Sequence, residues 1–314
     1  MSVLIAGCGY VGYRVARRLV VAGNTVYAIT RDPQKADCLS ADGIRPVITD
    51  LGDAESAIPI LPDVDALVWA VGFQRVAGQD RKTIWLDGLS RLLTGLPKRD
   101  LLMQRPRRIV YTSSTGVYGD GGGAEVDELT PAIPVTEGGR ACLEAESMLR
   151  NLAEQRHVQG ILLRLAGIYG PDRLLRRVTE LKAATPITSP AEDWLNLVHV
   201  DDVVAVIQLM LQATEIEPML VNGSLVMNVV AAQSVTRREY YEQLAILVDA
   251  PPPVFQTSGA SPGEPSDGTR SRGRSGNRRV VSRFRGLQSQ SFRFDKLADG
   301  LADAVARSSD QHSS

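Results

Sequence analysis

The sequence predicts an α/β fold built on a doubly wound parallel sheet flanked by helices, and three observations carry that expectation. Short apolar runs recur at residues 3–6, 25–30, 46–49, 66–71, 108–112 and 160–165. Helical patterns alternate with them, the order that crossover connections impose on a parallel sheet. The first run stops at a glycine-rich turn, Gly7-Cys8-Gly9-Tyr10-Val11-Gly12, that leads straight into a helical pattern. With 314 residues the chain has the length for one large domain or two modest ones, and for a sizeable core.

The first helix is predicted from Tyr10, because Val11, Val15 and Leu19 recur at helical spacing until Gly23 stops it. A strand at 25–30, a short helix at 33–39 begun by Pro33, and strands at 46–49 and 66–71 follow. A helix is expected at about 80–96, then a strand at 108–112 and a long loop at 113–134 that holds five glycines. Long loops after strands are usually functional. Leu143, Leu149 and Leu152 predict a helix at 140–155, and 160–165 closes the first sheet block. Beyond Gly170-Pro171 the rhythm is less regular. A strand is expected at 194–198, an apolar helix at 201–212 behind Asp201 and Asp202, and a helix at 236–248 with Thr236 and Glu239 as a capping box. Residues 251–282 change composition, with Pro251-Pro252-Pro253 and then Arg270, Arg272, Arg274, Arg278 and Arg279, and read as a linker or mobile loop.

The glycine turn has the strand-to-helix context of a dinucleotide fingerprint, and the fold is accordingly of Rossmann type. Glycines let the backbone approach a pyrophosphate, whose charge then lies at the positive end of the helix. Gly7, Gly9, Tyr10, Val11 and Gly12 are therefore assigned to the cofactor. Where an NAD-preferring fold places Asp or Glu for the ribose hydroxyls, Thr30 and Arg31 stand here. This favours NADP over NAD, because Arg31 has the charge to pair with a 2′-phosphate. A hydrogen bond to a charged group contributes ~1.5 to 3 kcal/mol, about ten- to a hundredfold in affinity. The alternative is a solvated arginine tied to Asp32. Asp50 and Leu51, with Ala70, Val71 and Gly72 at the end of the 66–71 run, complete the assigned cofactor contacts.

Four strings in order resemble the extended branch of the short-chain dehydrogenase/reductase superfamily, the NAD-dependent epimerase/dehydratase group. They are Asp50-Leu51, similar to an acidic-Leu pair near the adenine; Tyr111-Thr112-Ser113-Ser114-Thr115-Gly116-Val117-Tyr118-Gly119; Arg164-Leu165-Ala166-Gly167-Ile168-Tyr169-Gly170-Pro171; and Asn196-Leu197-Val198-His199-Val200-Asp201-Asp202-Val203. The resemblance spans residues 1 to about 250. It implies that Ser114 bonds the reacting oxygen of a substrate, and it makes Ser114 the candidate catalytic residue. It also exposes a departure. Family members use a Tyr and a Lys four residues later as a proton relay. Aligned on Glu146, those positions hold Gly138 and Cys142, and none of the eight tyrosines is followed four residues later by Lys. If the alignment holds, Gly138 and Cys142 line the cleft beside the nicotinamide. Ala6 also stands where the family often has glycine. Glu137, Arg140 and Glu144, near the vacant Tyr position, are weaker acid-base candidates.

The resemblance implies an NAD(P)-dependent oxidoreductase or epimerase/dehydratase-like enzyme acting on a polar carbonyl or alcohol, with a nucleotide-sugar as one substrate class. The alternative is a non-catalytic NADP(H)-binding sensor or regulatory protein. The expected architecture is a dinucleotide-binding domain at 1–165, completed by 191–228, and a small mixed substrate region at 166–190 and 229–314 with a mobile Arg-rich segment at about 256–282. Cofactor and substrate are expected to meet between the two.

Other readings are bland. His199 beside Asp201 and Asp202 suggests a metal cluster at first sight, but the aspartates open a helix, so N-capping is preferred and no metal is expected. Cys142 is read as a small buried filler. Lys plus Arg number 35 and Asp plus Glu 36, so the net charge of -1 gives no general attraction to nucleic acid or to an acidic membrane. The three scattered cysteines, Cys8, Cys38 and Cys142, fit neither a disulfide framework nor a zinc site. With no signal-peptide pattern at the start and no apolar run of ~20 residues, a cytoplasmic protein with a small-molecule substrate is expected, and a homodimer is the candidate assembly.

Overall fold

The computed structural model describes residues 1–72, 82–98, 106–156, 158–214, 216–256 and 276–309. In chain order they form β1 (Ser2–Ala6), α1 (Tyr10–Val21), β2 (Thr25–Thr30), α2 (Pro33–Ala41), β3 (Arg45–Ile48), β4 (Ala66–Trp69), α3 (Gly88–Gly95) and β5 (Arg108–Ser114). Next come β6 (Glu125–Val126), α4 (Glu137–Arg156), β7 (Gln159–Leu165), β8 (Gly167–Tyr169), α5 (Leu175–Lys182), β9 (Trp194–Leu195), β10 (Leu197–His199) and α6 (Val200–Gln212). The remainder is β11 (Ser224–Val229), β12 (Val235–Thr236), α7 (Arg237–Leu247), β13 (Arg279–Val280), α8 (Arg285–Gln288) and α9 (Leu297–Ser309). Among the described residues, no helix is long and apolar enough to cross a membrane.

The expected parallel sheet is present. Its seven strands run in the order β11-β7-β5-β4-β1-β2-β3, and β1 pairs in parallel with both β2 and β4. Strand order therefore reverses at β1, and the crevice between the carboxyl ends of β1 and β4 is where open α/β sheets bind ligands. Strands covered by helices on both faces read as continuous apolar runs, and β4 and β7 are buried along their whole length. Leu4, Trp69, Ile109, Tyr111 and Leu162 from the sheet pack with Leu89 and Leu92 of α3 and Leu149 of α4 in one core.

By compactness the chain divides into two units. The first comprises Met1–Val117, Glu137–Arg164 and Val204–Met227; the second comprises Tyr118–Thr136, Leu165–Val203 and Asn228–Ser314. The second has its own core, with Tyr169, Leu174, Leu181, Tyr240, Tyr241, Leu244, Leu297 and Leu301. Its helix α7 begins as expected, Thr236 and Glu239 forming a reciprocal capping box.

Several boundaries differ from expectation for local reasons. β5 extends to Ser114, and the loop after it contains a 3₁₀ turn, Thr115–Tyr118, and the short strand β6. The strand expected at 194–198 is two short strands, because the Asn196 side chain bonds outward, donating to the Arg278 carbonyl at 2.9 Å and accepting from the Val280 N–H at 2.7 Å. The helix expected at about 80–96 is a π-type turn, Thr83–Asp87, followed by α3, and its first residues lie outside the described ones. Of the Arg-rich span read as mobile, Arg270, Arg272 and Arg274 also lie outside them. Residues 276–282 are packed: β13 pairs in parallel with β6, and the buried Arg278 guanidinium donates to the Gly119 carbonyl at 2.5 Å. Strand β11 and helices α5 and α9 were not anticipated.

Candidate functional site

The glycine turn joins β1 to α1, at the crevice. Gly7 has φ +86°, and a side chain there would meet the backbone of Ala70 and Val71 at 2.5–2.6 Å. A Cβ on Gly12 would meet the Gly7 carbonyl oxygen. These two glycines are demanded by the protein's own packing. Gly9 is not: its φ is -94° and a Cβ would meet nothing within 4 Å among the described residues. Gly9 is the N-cap of α1, no side chain caps that helix, and no acidic residue occupies its first turn. The positive end of α1 thus begins, with no side-chain cap, at a glycine beside which a Cβ would have room, and this fits an anionic pyrophosphate. Tyr10 and Val11 open α1, Val11 buried and Tyr10 beneath the Arg14 guanidinium, 4.1 Å from the ring centroid. Ala70, Val71 and Gly72 lie just past β4, where the Ala70 N–H donates to the Ala6 carbonyl at 2.8 Å and a Cβ on Gly72 would meet nothing within 4 Å among the described residues.

At the tip of β2, Thr30 is buried and its hydroxyl accepts from the Asp32 N–H at 3.2 Å. Asp32 in turn caps α2, accepting from the Gln34 N–H at 2.9 Å. Arg31 turns the other way: its Nη1 stands 3.6 Å from Asp50 Oδ2 beyond β3, so the partner is Asp50 and not Asp32. Asp50 Oδ1 accepts from the Gly52 N–H, and Leu51 is buried.

At the end of β5 the Ser114 hydroxyl accepts from the Gly116 N–H at 3.1 Å. It caps the turn, and it also retains its own proton for donation. Facing β5, α4 carries Gly138 and Cys142. Gly138 is half-buried in the first turn, whereas Cys142 is 4% exposed and lies close to Tyr111 and Ser113. Both were expected to line a cleft; Cys142 instead fills the interface between α4 and β5, as its small size allows. Burial first, then the nearby Glu146 carboxylate, pushes the Cys142 thiol up to about 11, and burial likewise raises the Tyr111 phenol. Neither provides a proton shuttle near neutral pH.

One turn further, Glu146 is fully buried. Arg164 of β7 holds it with two hydrogen bonds, Nε to Oε1 at 3.0 Å and Nη2 to Oε2 at 2.8 Å. Ser113 Oγ donates to Oε1 at 2.7 Å, and Arg150 Nη2 donates to Oε2 at 3.0 Å. The network fixes α4 against β5 and β7 and thereby fixes the strand end that carries Ser114. Sequence reasoning used Glu146 only as an alignment marker; the long-range approach of Arg164 has no local signal.

In the second unit, Asp201 and Asp202 do not cap α6 as expected but lie within its first turn and hold the tail. Asp202 accepts the N–H groups of Arg293 at 2.7 Å and Phe294 at 3.1 Å. His199, Asp201 and Asp303 do cluster. The cation among them is Arg307, whose Nη1 lies 2.6 Å from Asp201 and 2.9 Å from Asp303. His199 Nδ1 accepts from the Asp201 N–H at 3.2 Å, which leaves Nε2 protonated toward Asp303 at 3.4 Å in the neutral imidazole.

Over residues 3–222 the chain matches the NAD dependent epimerase/dehydratase family. It is 32% identical over 274 residues to Protein YeeZ of Escherichia coli (strain K12), covering 86% of this chain and 92% of that protein. Among solved structures, a functionally unknown conserved protein from Silicibacter pomeroyi DSS superposes with a TM-score of 0.70 at 23% identity, covering 98% of each chain. UDP-glucuronic acid 4-epimerase from Bacillus cereus, in complex with NAD, superposes with a TM-score of 0.73 at 15% identity, over 100% of this chain and 98% of that one. These likenesses agree with the strand order, the glycine turn and the four strings: the chain belongs to the NAD dependent epimerase/dehydratase family.

Proposed function

We propose that this protein is an NADP(H)-binding oxidoreductase or epimerase/dehydratase-like enzyme acting on a polar carbonyl or alcohol, with a nucleotide-sugar as the leading substrate class. The observation that carries the reading is the open space at Gly9 before the uncapped start of α1. Gly7, Gly9, Tyr10, Val11 and Gly12 would hold the pyrophosphate, Thr30 and Arg31 the adenosine ribose and its phosphate, and Asp50 and Leu51 the adenine. Ala70, Val71 and Gly72 would flank the dinucleotide along β4. When bound, nicotinamide supplies a hydride acceptor or donor. Ser114 contributes the hydrogen bond that its free proton allows, orienting and polarising the substrate oxygen. The UDP-sugar named for the Bacillus cereus relative supports the substrate class. The roles of a cofactor domain at 1–165 with 191–228, and of a substrate region in the remainder, belong to this proposal.

A second reading is favoured by one observation. A buried thiol raised to about 11 at the Lys position, and glycine at the Tyr position, leave α4 without the family's relay. A non-catalytic NADP(H) sensor fits that pair as well. The test is to add NADPH, screen carbonyl substrates including nucleotide-sugars, and follow absorbance and product. Substrate-dependent turnover supports the enzyme, whereas tight NADPH binding with no turnover across the panel supports the sensor.

A further inference from the structure

We propose that Asp50 sets the cofactor preference of the crevice by serving as the internal counter-ion of Arg31, which a cofactor 2′-phosphate must draw away. The inference rests on the dinucleotide reading above. Both ends of the pair are held. Arg31 follows β2, whose last residue is fixed by the Thr30 hydroxyl on the Asp32 N–H and by the Thr49 N–H on the Thr30 carbonyl. Asp50 follows β3, and its Oδ1 is engaged by the Gly52 N–H at 2.8 Å, which leaves Oδ2 toward Arg31 at 3.6 Å. The two side chains are 50% and 30% exposed, so a ligand can reach the pair.

A guanidinium that neutralises a carboxylate is less available to a phosphate, and a phosphate drawn to Arg31 also meets the negative charge of Asp50. A half-exposed pair of this kind alters affinity about two- to fivefold, more at low salt. NADH carries no 2′-phosphate and leaves the pair intact. Asp50 thus moderates the NADP preference that Arg31 alone would confer, so that the chain admits both cofactors.

The experiment measures dissociation constants of NADPH and NADH by fluorescence titration of the full chain, for wild type, Asp50→Asn, Arg31→Ala and the double variant. Asparagine keeps an Oδ1 to accept the Gly52 N–H, and a circular-dichroism melt checks the fold. Asp50→Asn is expected to raise the ratio of NADH to NADPH constants about fivefold, and to leave the ratio unchanged when Arg31 is already alanine. An unchanged or lower ratio in Asp50→Asn overturns the proposal, as does an equal rise without Arg31. In those cases cofactor binding by the wild type keeps the dinucleotide reading intact. Failure of the wild type to bind either cofactor removes that reading and this proposal together.

Discussion

Gly7 and Glu146 show how single residues are constrained by distant parts of the chain, Gly7 by the backbone of Ala70 and Val71 and Glu146 by the side chains of Arg164 and Ser113. Gly7→Ala places a Cβ against Ala70 and Val71 at a positive φ, and is expected to destabilise the protein by about 2 to 4 kcal/mol in urea denaturation. A loss below ~0.5 kcal/mol contradicts the close approach. Glu146→Ala leaves the Arg164 guanidinium buried without its carboxylate and should cost about 3 to 5 kcal/mol. Replacing both by leucine should recover most of that loss, because the expense lies in an unpaired buried charge. A double variant as unstable as the single one contradicts this account. Gly7 was legible in the sequence because a glycine turn between a strand and a helix has one common use. The Glu146–Arg164 pair was not, since the two stand 18 positions apart and the sequence between them carries no sign that β7 returns beside α4.

The elements of the sheet were legible where apolar runs met glycine or proline, as at β1, α1 and β2. The strand β11 of the main sheet and, in the second unit, the helices α5 and α9 were not, and α9 owes its place to a tertiary anchor. Asp202 is such an anchor, since its carboxylate gathers the backbone that leads into α9. Burial raises its pKa to about 6, partly offset by those two N–H groups. The unfolded value is ~3.9, so between about pH 4 and 6 the folded chain binds more protons than the unfolded one. The sign follows: the stability this group contributes is greatest below the unfolded value and falls as pH rises through about 6. Relative to Asp202→Asn, wild type should lose stability from pH 4.5 to pH 7 in urea denaturation. A pH-independent difference sinks the assignment. Asp202→Ala, which strips both N–H groups of their acceptor, should cost about 2 to 4 kcal/mol at either pH.

For the whole molecule, the alternation of apolar runs with helical patterns made the parallel sheet legible in the sequence. The family followed from ordered strings, whereas the chemistry did not, because the positions at which the resemblance implies Tyr and Lys hold Gly138 and Cys142. The account therefore stands on the dinucleotide site. NADPH at ~100 times its dissociation constant should stabilise the folded chain by about 2.7 kcal/mol, visible as a rise in Tm. The most direct test of that site is NADPH titration of Gly9→Ala beside wild type, with urea denaturation of both ligand-free proteins. A Cβ at Gly9 meets nothing within 4 Å among the described residues, so ligand-free stability should stay within ~1 kcal/mol, while the methyl group occupies the space claimed for the pyrophosphate and should weaken NADPH at least about tenfold. Equal NADPH affinity in the two proteins would contradict the central claim.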